Sequence, residues 1–288
     1  MTRKPIGVFD SGLGGLSVVA SLTRALPSEE ILYFADTAHV PYGERPLSEI
    51  KDFALGITRY LVDRGAKMVV MACNMSSATA LDAARNEFPD TPIIGVIQPG
   101  ARAAVRNAEW GMRSAESGIR IGVLATTGTV RSGAYGQAIL MLAPDAQIFE
   151  QACPLFVPIV ESGKAESVEA DQAAKQYSAR LIDEDVRVVV LGCTHYPFLK
   201  SAIERAFGKA VVVVDPAEET ALEAARILQD RGLLAEAGEN PRHAFVISGA
   251  PEGDSRFVEI GSRFLGRRIQ TLERALWGVD VGKVTVQK

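Results

Sequence analysis

Short apolar runs, each the length of a buried strand, recur along this chain, and most lead into a stretch with helical spacing. "IGVFD" (6–10) runs into "GGLSVVASLTRALP" (14–27), which Pro27 closes, and "ILYFAD" (31–36) follows. "LSEIKDFALGITRYLVDRG" (47–65) has apolar residues at helical period and a stop at Gly65. Then come "MVVMAC" (68–73), the helix-like "SSATALDAARNEFP" (76–89) and "PIIGVI" (92–97). "QPGARAAVRNAEWG" (98–111) opens a new segment, and the alternation resumes at 119–135, 186–207 and 210–232, with a late strand in "HAFVISG" (243–249). Strands that alternate with helices pack as a parallel sheet covered on both faces. The expected class is therefore α/β, doubly wound, with mainly parallel sheets and sites just past the carboxyl ends of the strands.

The two halves of this pattern resemble each other. "IGVFDSGLGG" at 6 matches "IGVLATTGTV" at 121, and "KMVVMACNMSSAT" at 67 matches "VRVVVLGCTHYPF" at 186. Either match alone is what any two buried strands rich in Val and Gly share. Both matches in one order at nearly one offset point to an internal duplication. Pseudo-symmetric halves would set Cys73 and Cys193 on opposite sides of one cleft.

Other classes are disfavoured by composition. The chain has 288 residues, enough for one large or two moderate domains. A net charge of −4 leaves no basic footprint for nucleic acid. The apolar runs are far shorter than a membrane span, and "MTRKPIGVFDSG" lacks the apolar segment of a secretory signal. Three scattered cysteines argue for the cytoplasm and against a disulfide scaffold.

Cys153, in "QACPLFVP", reads as a buried structural thiol. Cys73 and Cys193 differ, because each stands where a strand ends and small polar residues begin. Helix amino-terminal dipoles and backbone N–H groups can stabilise a thiolate there, as a nucleophile or as a proton-transfer base. A zinc site is disfavoured: no C-x-x-C pair occurs, and Cys193-Thr194-His195 is too tight for usual ligand spacing. Asp10, in "FDSGLGG", is placed either to orient or deprotonate Cys73 or to cap a helix. "GLGG" matches no nucleotide fingerprint but suits a bound carboxylate, with Ser11 as a donor. His195 stands two residues after Cys193 and would assist that thiol or be an ordinary satisfied histidine. His39 and His243 have no such neighbours in sequence. Glu161, from spacing alone, is an exposed helix acid. Tyr42, in the punctuated loop "HVPYGERP" (39–46), would line a cleft or cap the core. Thr126 and Thr129, in "ATTGT", are hydroxyl donors or helix caps.

Together these motifs resemble the glutamate racemases of the aspartate/glutamate racemase family. The matching stretches are "IGVFDSGLGGLSVV", "PYGERP", "ACNMSSA", "ATTGTVRSGAY", "CPLFVPIVESG" and "GCTHYPFL", in family order from residue 6 to beyond 200, with "VVVVDPAEETA" after them. The resemblance implies a cytoplasmic, cofactor-independent, metal-free enzyme that interconverts L- and D-glutamate with two bases. D-glutamate would feed peptidoglycan synthesis and hence cell-wall biogenesis and cell shape. It implies Cys73 and Cys193 as the catalytic pair, assisted by Asp10, His195 and Glu161. Substrate contacts would come from Ser11, Pro41, Tyr42, Gly43, Asn74, Ser76, Thr126, Thr129 and Thr194. It further implies two pseudo-symmetric domains, 1–98 with 212–288 and, inserted, 99–211, with the active site in the cleft between them, and a homodimer as the assembly. No nucleic acid or membrane partner is implied. One position departs from the family pattern: a threonine that helps bind substrate is replaced by Met75, and a thioether donates no hydrogen bond. Ser76 and Ser77 are the nearest hydroxyls to replace it. Three other readings stand beside this one: a racemase for aspartate or another amino acid, a cysteine hydrolase built on Cys, His and an acid, and a two-lobed amino-acid binding protein.

Overall fold

The computed structural model of the chain describes residues 4–111, 118–236, 241–278 and 284–286. The chain separates into two compact units, one of residues up to Val96 together with those from Thr220 onward, the other Ile97–Glu219.

In the first unit, β1 (Ile6–Asp10), α1 (Leu16–Ala25), β2 (Ile31–Ala35), α2 (Leu47–Asp63), β3 (Met68–Met71), α3 (Asn74–Glu87) and β4 (Ile93–Gly95) follow one another. All residues of these four strands are buried, as strands covered on both faces must be. On α2, Ile50, Phe53, Ala54, Ile57 and Leu61 recur at helical period and are buried, which gives the helix a face to lay on the sheet. Phe9, Leu32, Phe34, Val69, Met71 and Ile93 from the strands share one core with Ala54, Ile57, Leu61, Ala80, Leu81 and Ala84 from the helices.

The second unit runs through α4 (Ile97–Gly111), β5 (Arg120–Ala125), α5 (Thr127–Ser132), α6 (Ala134–Leu140), β6 (Gln147–Ala152), α7 (Phe156–Glu161), α8 (Val168–Asp183), β7 (Val188–Gly192), α9 (Lys200–Phe207) and β8 (Val212–Val214). Helix α10 (Pro216–Asp230) then leads back to the first unit, which adds β9 (Ala244–Ile247), α11 (Asp254–Leu265), β10 (Leu272–Trp277) and β11 (Val284–Val286). β8 pairs with β7, so it belongs to the sheet of the second unit.

Strand order explains where sites can form. The first sheet runs β11-β10-β9-β2-β1-β3-β4 and the second β6-β5-β7-β8. All the pairings are parallel except that of β10 with β11. The order β2-β1-β3-β4 is repeated as β6-β5-β7-β8, so the duplicated sequence signal corresponds to a duplicated topology. In each sheet successive crossovers leave the central strand in opposite directions, and the switch point lies between β1 and β3 in one and β5 and β7 in the other. Ligands bind past the carboxyl ends of strands at such points. The registers agree as well: Phe9 is opposite Met71 and Leu124 opposite Leu191, so Cys73 and Cys193 each fall two residues beyond an equivalent pair.

Gly192 lets β7 close on this point. A Cβ there would lie 2.9 Å from Ala125 Cβ, 3.0 Å from the Leu124 carbonyl oxygen and 3.1 Å from Tyr135. Gly192→Ala is expected to destabilise the fold by about 1–3 kcal/mol through overpacking. Urea unfolding should show this as a lowered midpoint with an unchanged slope; an unchanged midpoint would contradict the packing.

Candidate active site

In the first unit Asp10 is the last residue of β1, and Cys73 follows the end of β3 as the N-cap of α3. Both are almost fully buried, at 1% and 6% exposure. Cys73 has the extended backbone geometry of an N-cap residue (φ −66°, ψ 125°). Its thiol is pushed up to about 12, first by burial and then by the negative charge of Asp10. The backbone N–H groups of Ser76 and Met75 and the Ser76 hydroxyl act in the opposite direction, as donors to the sulfur. Asp10 is fixed by the Gly12 N–H, which donates to Oδ2 at 3.0 Å, and the Tyr33 hydroxyl donates to the Gly12 carbonyl at 2.6 Å. A Cβ on Gly15 would stand 2.4 Å from Asp10 Cβ and 2.7 Å from the Tyr33 hydroxyl, so only glycine allows the chain to close around the acid. Ser11 is half-buried in the turn after Asp10.

The loop 36–46 lies over this point. Tyr42 is buried at 3% exposure and packs with Cys73 and Met75, while Pro41 is exposed and Gly43 half-buried. Burial, Asp36, Cys73 and Asp10 all raise the Tyr42 phenol well above its ordinary value, so it is held as a neutral donor. Asn74, the first residue of α3, is buried. Met75 is taken up by an apolar pocket with Tyr42, Ile50, Phe53 and Cys73, with Trp277 packed against it. The thioether that departs from the family pattern is thus part of an aromatic wall, a setting sulfur favours. Ser77 is committed elsewhere: its hydroxyl donates to the Met71 carbonyl at 2.8 Å and accepts from the Val96 N–H at 3.2 Å. Ser76 is wholly buried, and its Oγ meets full hydrogen-bond geometry with no partner among the described residues. A hydroxyl so placed costs about 1–3 kcal/mol unless something accepts from it.

In the second unit Cys193 follows β7 directly. The His195 ring reaches both its neighbours: Nδ1 lies 3.8 Å from the Cys193 sulfur, and Nε2 lies 3.3 Å from Oε1 of Glu161, the last residue of α7. His195 is buried while Glu161 is half-buried, so the acid touches the ring from the solvent side. The chain order Glu161, Cys193, His195 thus folds into a Cys–His–Glu series. At the other strand of the switch point, Thr126 caps α5, accepting from the Thr129 N–H at 3.3 Å, with the two hydroxyls 3.0 Å apart. Thr129 and Thr194 are buried and Thr126 half-buried. Tyr135 and Tyr196, both fully buried, are raised far above the ordinary phenol value, first by burial, then by Asp215 and Cys193 for Tyr135 and by Cys193 for Tyr196. Cys153 has no part here: it is fully buried, and its sulfur donates to the Gln151 carbonyl at 3.4 Å.

The two clusters have equivalent topology and unlike chemistry. The position equivalent to Asp10 is Ala125, so the second cysteine draws its acid from Glu161 through a histidine instead. Several residues of the first cluster carried no local sequence signal. Asp36 is fully buried and accepts from the Tyr42 hydroxyl at 2.6 Å, the Ser248 hydroxyl at 2.6 Å and the Trp277 indole at 2.8 Å, with His39 Nδ1 at 2.9 Å. His39 stacks on Phe53 with ring centroids 3.9 Å apart. This hub ties the loop that carries Tyr42 to β9 and β10. His243 only accepts from the Ile31 N–H, at 3.1 Å. Among the described residues no three His, Cys, Asp or Glu side chains group as a metal site, and no helix is long and apolar enough to cross a membrane.

Known proteins resemble this chain in sequence and fold. The profile of the Asp/Glu/Hydantoin racemase family matches residues 6–224. A glutamate racemase from Geobacter metallireducens is 42% identical over 269 residues, covering 93% of this chain and 95% of the relative. A crystal structure of a glutamate racemase from Bacillus anthracis superposes with a TM-score of 0.85 at 37% identity, covering 98% of this chain and 100% of that one. A glutamate racemase from Francisella tularensis, solved in complex with D-glutamate, superposes with a TM-score of 0.84 at 32% identity, covering 94% and 97%. By sequence and fold, the chain belongs to the Asp/Glu/Hydantoin racemase family.

Proposed function

We propose that this protein interconverts L- and D-glutamate without a cofactor, using Cys73 and Cys193 as bases on opposite faces of the substrate Cα. The observation that carries the reading is the pair of cysteines at equivalent positions of a duplicated topology, each with its own acid. The substrate assignment draws on relatives of about 40% identity named as glutamate racemases and on the D-glutamate complex of one of them. The chemistry follows from the demands of the reaction. One thiolate takes the Cα proton, leaving a carbanion, and the opposite thiol protonates the other face. Roles reverse for the other enantiomer. The Cα–H of an amino acid is a weak acid, so a strong base is required. A thiol pushed up to about 12 gives, once deprotonated, a base much stronger than a free thiolate. Ser11, Asn74, Thr126, Thr129, Thr194 and the N–H groups of the strand-to-helix turns would hold the substrate carboxylates and stabilise the developing charge. Pro41, Tyr42 and Gly43 would close over the substrate.

On this reading one domain comprises 1–98 with 212–288 and the other 99–211, one cysteine in each. It carries a cytoplasmic homodimer supplying D-glutamate for peptidoglycan. The Cys193–His195–Glu161 series is also what a cysteine hydrolase needs. A hydrolase would cleave an amide or ester and would not exchange a Cα proton with solvent. An aspartate racemase on the same scaffold would turn over D-aspartate in preference to D-glutamate.

Circular dichroism of D- or L-glutamate incubated with pure protein and no added cofactor should decay to zero, whereas aspartate should keep its signal; the reverse preference would overturn the substrate. Cys73→Ala and Cys193→Ala should each lower kcat by at least about a thousandfold, as removal of an essential acid–base group does. Full racemisation by either variant would end the two-base mechanism. The pH dependence follows from the raised thiol. Below its pKa of about 12 Cys73 is protonated, so its thiolate fraction grows with pH. Alkylation of Cys73 by iodoacetamide should therefore accelerate about tenfold per unit between pH 7 and 9.5; a plateau below pH 9 would contradict the desolvated site.

A further inference from the structure

We propose that Ser76 is a positioning residue for the first base, donating its hydroxyl to the Cys73 sulfur as that sulfur becomes a thiolate. This rests on the two-base reading above and deepens it. The geometry is that of a helix amino terminus: Cys73 is the N-cap of α3, and Ser76 is the third residue of the helix. In a capping box the N-cap side chain accepts from the N–H of that third residue, whose own side chain reaches back toward the N-cap. Here the N-cap acceptor is a sulfur. Ser76 is wholly buried, and its Oγ has no fully formed hydrogen bond among the described residues. Its hydroxyl and its backbone N–H both act as donors to Cys73, lowering the proton affinity of the thiol. A neutral thiol is a poor acceptor, whereas a thiolate is a strong one. The bond therefore strengthens at the moment Cys73 loses its proton.

The side chains on either side of Ser76 are committed elsewhere. Met75 lies in the aromatic pocket and offers no donor, and Ser77 is committed to the ends of β3 and β4. The remaining titratable groups that act on Cys73 come from other elements, and none lowers its proton affinity. Asp10 at the end of β1 raises it, while Tyr33 of β2 and Tyr42 of the covering loop are held neutral by burial. Ser76 is thus a side-chain donor that offsets Asp10 and burial. Ser76 is wholly buried three residues from the N-cap, a place from which its hydroxyl serves the base rather than the substrate.

The test is Ser76→Ala in the full-length protein, with iodoacetamide alkylation of each cysteine followed by peptide mass spectrometry from pH 7 to 9.5. Cys73 alkylation should slow by about tenfold at each pH, the loss of one hydrogen bond to a charged group, while that of Cys193 is unchanged. Space opened by the smaller side chain would accelerate alkylation, so the expected sign separates the electrostatic effect from a steric one. Ser76→Thr, which keeps the hydroxyl, should restore the rate. In racemisation kcat/KM should fall by about the same factor for both enantiomers, as an equilibrium constant of one requires, with KM nearly constant. Unchanged Cys73 alkylation in Ser76→Ala would overturn the proposal. A raised KM with unchanged alkylation would overturn it too and make Ser76 a substrate contact. Alkylation needs no turnover, so a failure of the glutamate assignment would leave this readout intact and distinguishable.

Discussion

Burial of a thiol at the end of a parallel strand sets the terms for everything else at this site. Desolvation favours the neutral form of Cys73, and the charge of Asp10 adds to it. The amino terminus of α3 works against both with N–H groups, and the Ser76 hydroxyl joins them. The balance leaves a thiol that holds its proton at rest and makes a strong base when it gives the proton up. A sulfur on an exposed loop would ionise near its ordinary value and take a Cα proton poorly. The scaffold around Cys73 is the consequence. Gly15 allows β1, Asp10 and Tyr33 to close together, and Asp36 gathers donors from residues 42, 248 and 277 to hold the covering loop.

The second unit solves the same problem with other residues. Its strand order and register repeat those of the first, but Ala125 stands where Asp10 would be. His195 stands between the sulfur and Glu161, with Nδ1 3.8 Å from Cys193 and Nε2 3.3 Å from the acid. Racemisation needs two bases of matched strength, not two identical environments. On the proposed mechanism a carboxylate beside one thiol and a histidine–glutamate pair beside the other are two routes to that match.

Much of this was legible before the fold was seen, and the reasons are specific. β1, β3, β5 and β7 are buried on both faces, so they read as continuous apolar runs, and the cysteines stand just past the ends of β3 and β7. β6 was not legible: it is an edge strand with no buried residue, and "QIFEQA" carries no apolar run. β10 was hidden for a similar reason, with Ala275 its only buried residue. The Cys193–His195 pair was visible as neighbours, but only folding brings Glu161, on a separate helix, to the ring. Asp36 was not legible because Ser248 and Trp277, two of its partners, lie more than 200 residues away, and a buried carboxylate looks like any other acid in sequence. Met75 looked like a lost hydrogen bond. Its aromatic pocket, assembled from residues 42, 53 and 277, explains why a thioether fits there.

The account turns on two bases of opposite facing, and solvent isotope labelling at low conversion tests that directly. L- or D-glutamate would be incubated with the protein in deuterated water and stopped after a few per cent of racemisation, and the two enantiomers separated and weighed. Two bases predict one deuterium at Cα in the product enantiomer and none in the recovered substrate, because the base that removes the proton is not the one that delivers its replacement. Product that retains the original proton, or substrate labelled as fast as product forms, would mean a single base and would contradict the account.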